Sequence, residues 1–87
     1  MHKNLKIYGN VQGVFFRQSA KIKADELGIK GFVKNEPDGS VYIEADGDGE
    51  AVERFIDWCR LGPDSANVDK IEVQESDIRD FNSFEVH

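Results

Sequence analysis

Positive charge is scarce in this chain, and so are cysteine, proline and histidine. Eleven Lys and Arg stand against 17 Asp and Glu, for a formal net charge of −6. That balance argues against the broad basic footprint on which nucleic-acid binding rests, so an anionic ligand would have to be held by one local pocket. Cys59 is the single cysteine, which excludes a disulfide within the chain. Its place on an apolar helical stripe reads as a small buried hydrophobe rather than a reactive thiol. The only histidines, His2 and His87, lie at the ends, where fraying is the default, so neither is expected to act as a base. No window approaches the roughly 18 apolar residues of a membrane span, and MHKNLKIYGN lacks the apolar core of a signal peptide. A cytoplasmic location without membrane contact is the expectation.

What is present is ordinary for a globular chain: 39% hydrophobic and 32% charged residues over 87 positions. That length supports one compact domain, residues 1–87, and no second lobe.

Leu5 and Ile7 alternate with Lys6 and Tyr8, a period of two that predicts a strand ending near Gly9. From Phe16 the period changes, because Phe16, Ala20, Ala24 and Leu27 share a helical face that Gly28 closes. GFVKN, residues 31–35, and the alternation of Val41, Ile43 and Ala45 flank the turn Glu36-Pro37-Asp38-Gly39, which predicts a hairpin. Asp48 is placed to cap a second helix with the stripe Val52, Phe55, Ile56, Cys59, ended by Gly62-Pro63. Ile71 and Val73 predict a further strand, and Phe84 and Val86 a short last one. The order β-α-β-β-α-β is that of a ferredoxin-like α+β sandwich, an antiparallel sheet with two helices on one face and room for a short extra C-terminal strand. Such a layout hosts many functions, so the site must decide.

The loop Gly9-Asn10-Val11-Gln12-Gly13-Val14-Phe15 joins the first strand to the first helix. A glycine-bearing turn at that place can aim successive N–H groups inward at an anion, and the helix N-terminus adds to the effect. Arg17 is the side chain suited to complete the cradle, since a guanidinium forks onto two phosphate oxygens. The plain alternative is a tight turn beside a solvated Arg. The loop has neither the Gly-Lys-Ser/Thr of a nucleotide P-loop nor a dinucleotide fingerprint. Asn35, at a strand end, either serves the following turn or orients a water, since its amide both donates and accepts.

Residues 9–17, GNVQGVFFR, resemble the first signature of the acylphosphatase family. GFVKN at 31–35, followed by Gly39, Val41 and Gly47, resembles the second. With Trp58, Gly62-Pro63 and Val68 the similarity spans nearly the whole chain. The resemblance implies a ferredoxin-like fold and metal-independent, cofactor-free hydrolysis of acyl phosphates to carboxylate and inorganic phosphate. It also implies that the amides of Val11, Gln12, Gly13, Val14, Phe15 and Phe16 bind the phosphate together with Arg17, while Asn35 positions the attacking water. Some members end in a tyrosine whose carboxylate helps hold the arginine. This chain ends Phe84-Glu85-Val86-His87, so the resemblance does not say what holds Arg17.

Such a site needs few residues. A carboxylate departs from phosphorus without a proton, and positioning with charge stabilisation supplies most of the rate. Glu36, which follows Asn35, is expected to point to the opposite face and to take no part. The expected partners are a small acyl phosphate, read mainly through its phosphate, and inorganic phosphate as product and competitive inhibitor. No nucleic acid is expected, and the chain is expected to be a free-standing monomer. Two other readings stay open. One is a non-catalytic acyl or carbamoyl phosphate-binding module. The other is a single-stranded RNA reader using Phe15 and Phe16 beside Arg17, although the strands are expected to lack paired surface aromatics in a basic surround. Asp46, Asp48, Glu50 and Asp57 resemble the start of a calcium loop, but Ala51 stands where such a loop needs Gly. An acidic turn at a helix start is the better reading.

Overall fold

The computed structural model describes residues 1–76 and 80–87. In chain order the elements are β1 (His2–Asn10), α1 (Phe16–Leu27), β2 (Lys30–Asn35), β3 (Val41–Asp46), α2 (Gly49–Leu61), β4 (Asn67–Glu75) and β5 (Phe84–Val86). The sheet order is β4-β1-β3-β2-β5. The first four strands pair antiparallel, and the expected short extra strand, β5, adds parallel to β2.

Register follows from which alternate residues are apolar. Leu5 pairs with Ile43 and with Val73, and Val33 pairs with Ile43, so one sheet face is aliphatic along its whole width. A slip of one residue would turn that set to solvent. Phe16, Ala20 and Ala24 of α1 and Val52, Phe55, Ile56 and Cys59 of α2 are buried with it, as the helical periodicity predicts. Phe84 seals the far edge, edge-on to Phe55 with ring centroids 5.7 Å apart. Burial pushes the Cys59 thiol well above its ordinary range, which suits the inert hydrophobe expected of it. Asp48 occupies the N-cap position of α2, but its side chain makes no capping hydrogen bond.

Two expectations need correction. The ends are pinned rather than frayed. His2 is the first residue of β1 and is 4% exposed; its Nε2 lies 3.0 Å from Glu44 Oε1 and its ring stacks on Phe81. Pairing with β3 sets His2 opposite Asp46 on the sheet face away from the helices, where Glu44 and Phe81 cover it, a tertiary effect that position in the sequence does not reveal. At the other end, His87 N donates to Val33 O (2.8 Å) and its ring lies flat on Phe32, 4.9 Å between centroids. The second correction concerns the open sheet face, which does hold clustered aromatics. Phe32 packs near Tyr42, and Lys34 lies over the Tyr42 ring, while Lys6 and Lys70 lie over Tyr8. These rings engage each other and their lysines.

The β2–β3 hairpin, which carries Asn35, is fixed by Asp38. Its carboxylate accepts from the Ser40 amide and hydroxyl and pairs with Lys6 Nζ at 3.0 Å. Those hydrogen bonds, Ser40's first, hold the Asp38 carboxyl down at about 2 from an ordinary 3.8. A carboxyl depressed in the folded state adds stability that is complete above its unfolded value and is lost as pH falls through the folded one. Wild-type protein is therefore expected to lose stability more steeply than Asp38→Asn between about pH 4 and 2, read from urea midpoints against pH. Parallel curves would refute this.

Candidate active site

The chain leaves β1 through a bulge at Tyr8/Gly9. Gly9 has φ 133°, and a Cβ there would collide with the Asn67 carbonyl, so only glycine lets the strand end this close to β4. Beyond it, Gly13 and Phe15 both adopt left-handed backbone, φ 73° and 63°. For Phe15 this is a strained choice, of the kind concentrated at functional loops. The two left-handed residues curl the segment so that it arrives at α1 with its N–H groups unspent. No main-chain carbonyl among the described residues accepts from the amides of residues 12–18, and the first such bond is Ser19 N to Phe15 O at 3.1 Å.

Helix α1 begins in a way that makes little sense for stability. Phe15 stands at its N-cap with no side-chain oxygen to offer, and the first turn holds no acidic residue. It holds Arg17 instead, a cation at the positive end of the macrodipole, where it costs about 0.3–1 kcal/mol. An anion in front of the turn would satisfy the unspent donors and reverse that penalty.

Three hydrogen bonds set the loop in place. The Gln12 amide nitrogen donates to both Glu36 O (2.8 Å) and Ser40 O (2.9 Å), tying the loop to the hairpin beside Asn35. On the other flank Ser65 Oγ donates to Val14 O at 2.8 Å. Arg17 is held by an arm of its own guanidinium: Nη1 donates to the His87 main-chain oxygen at 2.8 Å. The holding group is thus the main-chain oxygen of His87, the residue that follows β5.

The structure brings Val11, Gly13, Phe15, Phe16, Arg17 and Asn35 around one pocket of about 360 Å³, with Gln18 and Val86 completing the wall. Asn35 reaches it from the last position of β2, where alternation with Val33 turns it toward the helix layer. Its Oδ1 is buried and accepts no hydrogen bond among the described residues. Of the other predicted residues, Gln12 and Val14 lie in the same loop but are not among the pocket's lining. Gln18 and Val86 went unnoticed in the sequence. The position of Gln18 one residue after Arg17 was a usable signal, whereas nothing local places Val86 there. Among the described residues no cluster of three or more His, Cys, Asp or Glu side chains is placed to hold a metal ion.

The chain is similar to known proteins in sequence and in fold. The acylphosphatase family model matches residues 3–86. An acylphosphatase of Archaeoglobus fulgidus is 49% identical over 84 residues, covering 94% of this chain and 94% of that one. The crystal structure of acylphosphatase from Bacillus subtilis is similar with a TM-score of 0.95 at 32% identity, covering 99% of this chain and 97% of that chain. The structure of an acylphosphatase from Coxiella burnetii has a TM-score of 0.95 at 35% identity, covering 99% and 90% of the two chains. Similarity of sequence and of fold along nearly the whole length means that this chain belongs to the acylphosphatase family.

Proposed function

We propose that this acylphosphatase works through the pocket at the start of α1. The loop amides of residues 11–16 and the Arg17 guanidinium hold the phosphate of a small acyl phosphate, and Asn35 orients the attacking water. The observation that carries the reading is the buried Oδ1 of Asn35, without a partner among the described residues, on the wall of a pocket that also presents a guanidinium. A buried acceptor without a partner is costly unless a ligand or water supplies a donor. A water that donates one proton to Oδ1 has its lone pair free to face phosphorus.

The water oxygen forms a bond to phosphorus as the bond from phosphorus to the acyl oxygen breaks, and the electron pair leaves with the carboxylate. Both water protons end on the phosphate, so the dianionic acyl phosphate yields a carboxylate and dihydrogen phosphate. The departing oxygen is a weak base and needs no acid. Charge on the equatorial oxygens meets Arg17 and the amides, which are already oriented before reaction.

No step is assigned to His2, which is buried against Glu44, or to His87, whose ring stacks on the open sheet face. Glu36 contributes its main-chain groups to the Ser40 and Gln12 hydrogen bonds. Glu36→Gln is therefore expected to keep kcat within about twofold; a loss of about a hundredfold, the size a general base supplies, would overturn this. In this reading the enzyme needs no metal or cofactor and acts as a cytoplasmic monomer with inorganic phosphate as competitive inhibitor. Nucleic acid has no part in it, given the net charge of −6.

Steady-state hydrolysis of an acyl phosphate in the presence of EDTA tests the proposal. Activity that survives the chelator supports it. Folded protein that binds phosphate without turnover would instead be the phosphate-binding module.

A further inference from the structure

We propose that Phe15 and Val86 form an apolar seat for the acyl group, making this enzyme selective for acyl phosphates with aromatic or branched apolar acyl groups. The proposal rests on the reading of the pocket as an acyl phosphate site. Most large apolar side chains of the protein are buried; among the described residues the exposed ones are Met1, Phe15, Ile22, Leu61 and Val86. Two of these five, Phe15 at 73% and Val86 at 41% exposure, line the same pocket as Arg17 and Asn35.

They arrive there from distant parts of the chain. Phe15 is the N-cap residue of α1, and Val86 lies in β5, which pairs with β2 at Val33. The Phe15 ring is presented to solvent by a left-handed backbone that a bulky residue rarely adopts. The loop needs an αL residue here, and Gly or Asn would supply it at lower strain. An exposed ring at that position buries nothing in the free protein, which points to a ligand that covers it.

The chemistry of the substrate supplies the fit. Its phosphate takes up the amides and Arg17, so the acyl carbon and its substituent extend toward the rim, where the solvent-facing apolar surfaces are Phe15 and Val86. An acetyl group is too small to cover both. A phenyl ring can lie against Phe15 in the offset or edge-on arrangement that aromatic pairs favour. The expected preference is therefore for the acyl end, against the broad tolerance expected of a pocket that reads phosphate alone.

The test compares kcat/KM for benzoyl phosphate with that for acetyl phosphate, in wild type, Val86→Ser and Phe15→Asn. Asn tolerates the left-handed backbone, so the loop keeps its course. The wild-type ratio is expected to exceed about tenfold, the lower range for apolar pocket contacts. It should fall about threefold in Val86→Ser and about tenfold in Phe15→Asn. Equal wild-type values, or a ratio that neither substitution moves, would overturn the seat. The same comparison is made by calorimetry with phenacylphosphonate and acetonylphosphonate, which carry CH2 in place of the bridging oxygen and cannot be hydrolysed. Absence of turnover alongside selective phosphonate binding would reject the activity and keep the seat. Unselective phosphonate binding would reject the seat alone.

Discussion

Arg17→Ala is expected to lower kcat/KM by about 10³-fold, roughly 4 kcal/mol of transition-state stabilisation, with KM rising and kcat falling together. Both parameters move because the guanidinium faces phosphate oxygens in the ground state and again when their charge redistributes. Arg17→Lys should recover little, because an ammonium offers a point charge where the pocket needs a planar fork with one arm already committed to the His87 oxygen. The loss should come without loss of stability. Relief of the unfavourable cation in the first turn of α1 offsets the lost hydrogen bond to His87, so the net change in stability is expected to be small. Activity within tenfold of wild type, or a melting temperature that drops with the activity, would count against the assignment.

Asn35→Ala is expected to lower kcat by about 10²-fold or more while KM and the inhibition constant for inorganic phosphate stay within about threefold. Its amide is aligned with a water rather than with the phosphate, so binding survives and chemistry does not. Removing a buried oxygen that has no partner among the described residues leaves no orphan there, and the fold should tolerate it. Competitive inhibition by phosphate in the variant is the discriminating measurement. If phosphate no longer binds, Asn35 belongs to the anion cradle and the attacking water needs another partner.

Much of this site was legible before any coordinates. The switch from period two to period 3.6 near Phe16 located the loop at a helix start, and the turn Glu36-Pro37-Asp38-Gly39 located Asn35 at a strand end. Those signals are local, and Arg17 and Asn35 line one pocket. The contacts that hold the loop were not legible. Gln12 reaches carbonyls 24 and 28 residues away, and Arg17 finds an oxygen 70 residues away; no periodicity records such partners. The burial of His2 was missed for the same reason, since strand pairing, not distance from the chain end, decides whether a terminal residue is ordered. The direction of β5 was equally hidden, because three residues of apolar alternation are the same read parallel or antiparallel.

The sheet order has a kinetic corollary. With β1 lying between β3 and β4, and β5 returning to β2, residues 3–10 must find residues 67–75, and residues 31–33 must find 84–86. Beyond the helices and the β2–β3 hairpin, the strand pairings join residues far apart in sequence, so loop-closure entropy must be met before most of the sheet can reward it. Chains of this kind fold in milliseconds to seconds rather than microseconds. Docking of β5 brings the His87 oxygen to Arg17, so the phosphate cradle is complete only once that pairing has formed.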